Sequence, residues 1–336
     1  MKKKILTLVA LCAVITANAT ILRVSNVNGS TAPYQTIQAA HDAANVGDTI
    51  MVDGSNNSYG ETEIGKTLVL IGPGYWVHQN GLADEAVPSA TANFVILHSA
   101  PGTVIEGFNL GYDINRCISI CADGCVIRRC KFTSGGEVAI WFKREKQNDK
   151  YLADPAGAVI HQNFFKNCGI KTREMSGLMS NVQITNNIFV HDNGTEYDIQ
   201  AMTNSYIGYN TMLGGGSWGP LAWVWSSTIE HNIIRTNKIK YSNIHDVDNN
   251  EWGENVIAGG FSPEYSTDKD IYTLEQTLNE GKDCGAFAGE SSDNINVSPY
   301  VISGVPSAPV IQDLVVPTTV EAGKKMKVTI KLGIQK

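Results

Sequence analysis

Ile184-Thr185-Asn186-Asn187-Ile188-Phe189 is followed 23 residues later by Ile207-Gly208-Tyr209-Asn210-Thr211-Met212, and 22 after that by Ile229-Glu230-His231-Asn232-Ile233-Ile234. Each segment has Ile first, Asn fourth and a large apolar residue sixth. Upstream, the same frame reads Ile160-His161-Gln162-Asn163-Phe164-Phe165, Ile127-Arg128-Arg129-Cys130-Lys131-Phe132 and Ile105-Glu106-Gly107-Phe108-Asn109-Leu110. Downstream, Val247-Asp248-Asn249-Asn250-Glu251-Trp252 continues it with Val in the first place. The steps between starts are 22, 33, 24, 23, 22 and 18 residues. A period of this size is the mark of a solenoid.

Three short strands at about 3.3 Å per residue, joined by turns, need about this many residues. A leucine-rich repeat would show regular Leu spacing with Asn in a different frame, and a propeller blade would take about 40 residues. The expected fold is therefore all-β: a right-handed parallel β-helix solenoid with an N-terminal capping helix and a short C-terminal β tail. The first-place Ile points inward and stacks on the Ile of the next coil, each worth roughly 1.5–3 kcal/mol when buried. The fourth place is expected to sit at a sharp turn, where Asn tolerates left-handed backbone. Asn163, Asn187, Asn210, Asn232 and Asn250 fill it. Stacked about 4.8 Å apart, their amides are expected to bond along the row, which satisfies buried polar groups as a chain. Phe108 and Cys130 hold the place in the first two coils, so the row begins at the third.

Around this core the chain divides into three parts. Residues 1–19 read as a signal peptide: Lys2-Lys3-Lys4, an apolar run from Ile5 to Ile15, and Ala17-Asn18-Ala19 as a small-x-small cleavage site. The run is too short to span a bilayer core of about 30 Å, and Cys12 sits too early, after Leu11, for a lipidation site. Residues 20–290 form the β-helix, with a cap over 20–53 in which Tyr34 to Ala44 is an amphipathic helix. Early coils at 61–71 and 93–98 lack the full frame. Residues 264–290 are polar, with a Gly-rich Cys284 to Gly289. Residues 291–336, punctuated by Pro299, Pro306, Pro309 and Pro317, read as an extended tail or small β appendage. The 33-residue step holds a charged insertion from Lys143 to Pro155, and long loops on a regular scaffold tend to carry function.

Net charge is −7, from 26 basic and 33 acidic residues, which argues against nucleic acid as a partner. The expected setting is secreted, periplasmic or at a bacterial cell surface, as a monomer with no membrane span after cleavage. Six cysteines remain after cleavage: Cys117, Cys121, Cys125, Cys130, Cys168 and Cys284. An exported protein can oxidise them, and the spacings of four, four and five resemble a zinc pattern loosely. Their Ile- and Val-rich surroundings favour buried free thiols, and no bound metal is expected.

The coil frame, Tyr34-x-Thr36-Ile-Gln-Ala-Ala40 with Gly47-Asp-Thr-Ile50, and Gly72-Pro-Gly-Tyr75 together resemble the pectin-lyase-like β-helix superfamily. Gly285-Ala-Phe287 and Pro299-Tyr-Val-Ile-Ser-Gly-Val-Pro306 are similar to the ends of a group of secreted bacterial β-helix proteins. The superfamily holds lyases, hydrolases, esterases and surface proteins, so the resemblance implies a fold and leaves the activity open. It also implies that a substrate lies along the outside of one sheet.

The strands preceding the frame are the candidates for that sheet: Cys117–Cys121, Val138–Lys143, Thr195–Gln200, Leu221–Trp225 and Lys238–Tyr241. With Ile199 and Ile239 inward, alternation turns Asp198, Gln200, Lys238 and Lys240 outward. Trp141 and Lys143 join them, and Arg144 and Trp223 complete a set suited to sugar rings, hydroxyls and uronates. The first reading is a polysaccharide-binding protein without cofactor. The alternative is a uronate lyase, in which a Lys or Arg takes the proton beside the carboxylate and a cation such as Ca²⁺ steadies the enolate. Its base would come from Lys143, Arg144, Lys171, Arg173, Lys238 or Lys240, and Asp246, Asp248 and Glu251 come nearest to a calcium cluster. A hydrolase has less support. Asp198 and Glu196 share one strand, Lys238-Ile239-Lys240 alone means little, and no Gly-His-Gly occurs. His161, His231 and His245 read as turn or surface residues, and Arg128-Arg129 as a solvated face.

Overall fold

The computed structural model describes residues 19–82, 88–111, 117–133, 138–172, 179–191, 197–214, 220–235, 249–258, 267–278, 281–290, 295–306, 310–315 and 329–333. Residues 1–18, with nearly all of the expected signal peptide, lie outside them. Among the described residues no helix is long and apolar enough to cross a membrane.

The chain winds as a right-handed parallel β-helix. A ten-stranded sheet begins at Ile21–Val24 and ends at Glu251–Trp252, with strands in parallel register throughout. We call it the first sheet. The other two sheets share the strand Thr91–Ile96. Its first residues pair with Asn109–Leu110 of the third sheet, and its later ones with Ile118–Ile120 of the second. Each coil visits the first, third and second sheets in turn. The inner column of the first sheet runs Leu22, Ile50, Leu70, Ile105, Ile127, Ile160, Ile184, Ile207, Ile229 and Trp252, each in register with the next. The sixth-place residues stack on the third sheet. Phe132, Phe165 and Phe189 lie face to face, with centroids 4.7 and 4.5 Å apart, the separation that strand spacing imposes.

Two details of the frame are corrected. The left-handed residue is the third, not the Asn: Arg129, Gln162, Asn186, Tyr209 and His231 have φ of 53 to 56°. The Asn is present for its amide. Asn163 Nδ2 donates to Asn187 Oδ1, Asn187 Nδ2 to Asn210 Oδ1, Asn210 Nδ2 to Asn232 Oδ1 and Asn232 Nδ2 to Asn255 Oδ1, each at 3.0 Å. The fifth member is thus Asn255, and Asn250 stands elsewhere. Ile229 pairs with Trp252, so the last coil reads Trp252-Gly253-Glu254-Asn255-Val256-Ile257, a step of 23 residues rather than 18. An 18-residue coil would leave too little chain for three strands and their turns. Asn250 instead ends a polar row at the corner before the first sheet. Val182 N–H donates to Ser205 Oγ, Ser205 N–H to Ser227 Oγ, and Ser227 N–H to Asn250 Oδ1.

Helix α1 (Ile37–Ala43) covers the N-terminal opening. Thr36 caps it by accepting from the Ala39 N–H, and Ile37, Ala40 and His41 are buried beneath. This shields strand edges that would otherwise pair with other chains. The charged insertion folds as a small antiparallel hairpin, Lys146–Gln147 with Lys150–Tyr151. The six cysteines past the expected cleavage site are buried thiols outside any disulfide.

The polar stretch before Cys284 contains an unexpected helix, α2 (Asp268–Leu278). Its Ile271 packs on Phe164, Ile188 and Leu213, so this part of the third sheet is covered on its outer side as well. Apolar residues then run almost without alternation along these strands, as in sheets buried on both faces. Residues 281–290 and 295–306 next run back along the coils as a strap, held by the third-place side chains. His231 and Tyr209 meet Asp283, Asn186 donates to the carbonyls of Ala286 and Ala288, Gln162 to that of Ser298 and Arg129 to that of Val305. Of the expected tail, residues 295–306 lie in this strap, and Val310–Val315 pairs antiparallel with Thr329–Gly333.

Candidate functional site

The second sheet presents one outward row in which Ser119, Trp141, Lys171 and Gln200 stand in successive coils. Ser119 is in register with Trp141 and Trp141 with Lys171. Ile170 is in register with Ile199, which sets Lys171 beside Gln200. The strand that carries Lys171, Gly169–Thr172, had not been read as part of this sheet, because the motif-poor Cys168-Gly-Ile-Lys-Thr172 shows little alternation. Trp141 and Lys171 are buried rather than open, and Gln200 is half-buried.

Asp198 is corrected more sharply. Alternation turns it away from the core, yet only 2% of it is exposed. Its carboxylate lies 2.6 Å from Nε2 of His191, itself buried. The chain leaves the third sheet at Val190–His191 and enters the second at Asp198–Ile199, so the connection brings the two side chains together. Burial raises the Asp198 carboxyl above the usual carboxylate range, against the opposing pull of His191 and Lys171. Imidazole, carboxylate and ammonium therefore form one electrostatic unit, of the kind that often lies at functional sites.

Beside this unit the backbone is strained. Ala201 and Trp223 have φ of 64° and 55°, uncommon for residues with side chains. They face each other across adjacent strands, since Gln200 pairs with Ala222 and Met202 with Val224. These paired kinks let Leu221, Ala222 and Val224 stay buried while Trp223 projects outward, 40% exposed. The Tyr197 ring lies 6.5 Å from it at 44°. Strain of this kind concentrates at binding and catalytic sites. Leu221 is in register with inward Ile199, so strict alternation would turn Trp223 inward as well, and it is the kink that turns it out.

The remaining candidates scatter. Lys143 is half-buried at the end of its strand, where its N–H bonds to Ile120 O. Arg144 belongs to the insertion, paired with Asp154 at 3.3 Å and lying over the Tyr151 ring. Lys238, Lys240, Arg173, Glu196, His245, Asp246 and Asp248 lie outside the described residues, and Glu251 is exposed. Among the described residues, no three His, Cys, Asp or Glu side chains gather as a metal site would require.

Two expected surface features are instead structural. His161 is buried, bonded through Nδ1 to Thr185 Oγ1 at 2.8 Å and through Nε2 to Ser298 Oγ at 2.9 Å. Arg128 and Arg129 both pair with buried Glu106, at 2.7 and 3.2 Å. Glu106 and Arg128 hold the same place in consecutive coils, a 22-residue relation already present in the repeat.

Similar solved structures include a pectate lyase from Bacillus sp. N165 in complex with trigalacturonate, at 11% identity, covering 77% of this chain and 93% of that one with a TM-score of 0.47. A pectin methylesterase from Aspergillus niger matches at 13% identity, 75% and 89% coverage and a TM-score of 0.39. Pectin methylesterase PemA from Erwinia chrysanthemi matches at 13%, 79% and 98%, with 0.30. The chain's own strand pairing makes it a parallel β-helix. No family model matches the sequence, and no curated protein matches it. At these identities the similarity assigns no role to any site residue of this chain.

Proposed function

We propose that the protein is exported behind residues 1–19 and binds a polysaccharide along the outer face of the second sheet, seated on Trp223. The observation that carries this reading is the exposed Trp223 ring on a kinked strand, next to Tyr197 and to the Lys171–Asp198–His191 unit. An indole face stacks on the apolar face of a sugar ring, while neighbouring polar groups bond its hydroxyls or a uronate. Coils about 4.8 Å apart repeat such positions along the axis, as an extended chain requires. The buried Asp198–His191 pair serves to hold this face in shape, and binding without bond cleavage is the reading it favours.

The test is a panel of anionic and neutral polysaccharides, followed by affinity electrophoresis and by ultraviolet absorbance. Retardation by at least one polymer with a flat absorbance trace is expected, and Trp223→Ala should weaken binding tenfold or more. A rising absorbance from an unsaturated uronate would replace this reading with β-elimination, the lyase alternative. No retardation by any polymer would overturn the binding reading.

A further inference from the structure

A depression of about 230 Å³ lies on the outer face of the third sheet, lined by Thr91, Asn109, Leu110, Gly111, Lys131 and Thr133. A water molecule takes about 30 Å³ in the liquid, so this space suits a ligand nearer in size to a monosaccharide. Thr91, Asn109 and Lys131 stand in register on successive strands. Gly111 lets the Thr133 backbone close up beside it. Its φ is 122°, and a Cβ there would come within 1.9 Å of the Thr133 carbonyl oxygen.

Lys131 supplies the charge. Its ammonium lies 4.2 Å above the Trp76 ring, and that ring is fixed edge-on against Tyr75 and Phe164, with centroids 5.6 and 4.9 Å away. Two charged groups face Lys131. Lys166, on the next strand, repels it, and Asp268, at the start of α2, attracts it. The Asp268 oxygens are already engaged by Asn80 Nδ2 at 2.7 Å, Ser303 N–H at 2.7 Å and Tyr300 Oη at 3.2 Å. Burial, aided by Lys166, pushes the Lys131 ammonium down to about 8. A partly desolvated cation needs a compensating anion, and the hydroxyls and amide beside it match a sugar.

We propose that this depression is a second carbohydrate site, in which Lys131 takes the carboxylate of a single hexuronate while Thr91, Asn109 and Thr133 meet its hydroxyls. It lies on a different sheet from Trp223 and does not depend on the reading given for that face.

Sodium galacturonate titrated into the ¹⁵N-labelled full chain at neutral pH should shift the amides of Thr91, Asn109, Gly111 and Thr133. Lys131→Met should weaken the affinity tenfold or more, with Trp223→Ala leaving it unchanged. Wild-type affinity should hold at neutral pH and fall as pH rises through about 8, whereas Lys131→Arg, which keeps its charge, should retain it well above that pH. Galactose should bind at least tenfold more weakly than galacturonate. Equal binding of galactose, or shifts unaffected by Lys131→Met in a variant with native circular dichroism, would overturn the site. Inorganic phosphate displacing galacturonate at equal concentration would mark a general anion site and overturn the sugar assignment.

Discussion

Asn210 Nδ2 donates to Oδ1 of Asn232 at 3.0 Å, and the same Oδ1 accepts the Asn210 backbone N–H at 2.9 Å. Repeated from Asn163 to Asn255, this pairing makes each Asn amide oxygen accept from both the backbone and the side chain of the Asn one coil before. Asn210 also gives Nδ2 to the carbonyls of Ile184 and Gly208, and its Oδ1 receives the Asn187 N–H. Asn210→Ala therefore strands several buried groups at about 1–3 kcal/mol each. We expect a loss of about 3–5 kcal/mol in urea unfolding. Asn250→Ala, at a half-buried corner, should cost about 1–2 kcal/mol.

Trp223 can be separated from stability. Its positive φ suits glycine, so Trp223→Gly relieves backbone strain. The melting temperature should stay level or rise while polysaccharide retardation disappears. A large fall in melting temperature would mean that the ring is a packing element.

His161 ties the coil to the strap as a neutral ring. Burial depresses it from 6.5 to about 4, so the folded state binds its proton less readily than the unfolded chain. Its contribution is fully present above about pH 6.5 and is lost as pH falls toward 4. His161→Gln should therefore show a shallower fall in melting temperature over that window than wild type, checked by scanning calorimetry.

Glu275 slopes the other way. Burial raises it from 4.5 to about 7, against its bonds to the Thr211 hydroxyl and to the backbone N–H groups of Ala286 and Phe287. Its contribution is fully present below about pH 4.5 and is lost as pH rises toward 7. Glu275→Gln should flatten that decline, leaving the variant at least as stable as wild type at pH 8. A steeper decline would contradict the assignment.

Asn186 anchors the strap with two donated bonds and one accepted from the Ser298 N–H. Asn186→Ala should raise amide exchange across 284–290 and 295–300 by tenfold or more while the coil strands keep their protection, since local opening is cheaper than global unfolding.

The repeat was legible where consecutive coils open on Ile and close on a large apolar residue, from Ile105 to Ile234. It misplaced the last coil because Val247-x-x-Asn250 imitates the motif, while the true frame opens on Trp252, an unusual residue in an Ile column. Helix α2 was missed because Ile271, Leu274 and Leu278 are its few apolar marks. Lys171 was visible as a base but not as a neighbour of Asp198, and His191 carried no local signal at all.

The sequence by itself determined the coil, since period, inward Ile and stacked Asn depend on short-range chain geometry repeated in register. It determined that Asp198 faces away from the core, on the side of the second sheet opposite Ile199. Only the tertiary structure decided that Asp198 is buried against His191 while Trp223 is exposed. Alternation specifies a direction away from the core, but exposure depends on what other parts of the chain place over that face. The strap shows the same limit: Asn186 and Ala286 meet across 100 residues, a contact fixed by the fold and by no local period.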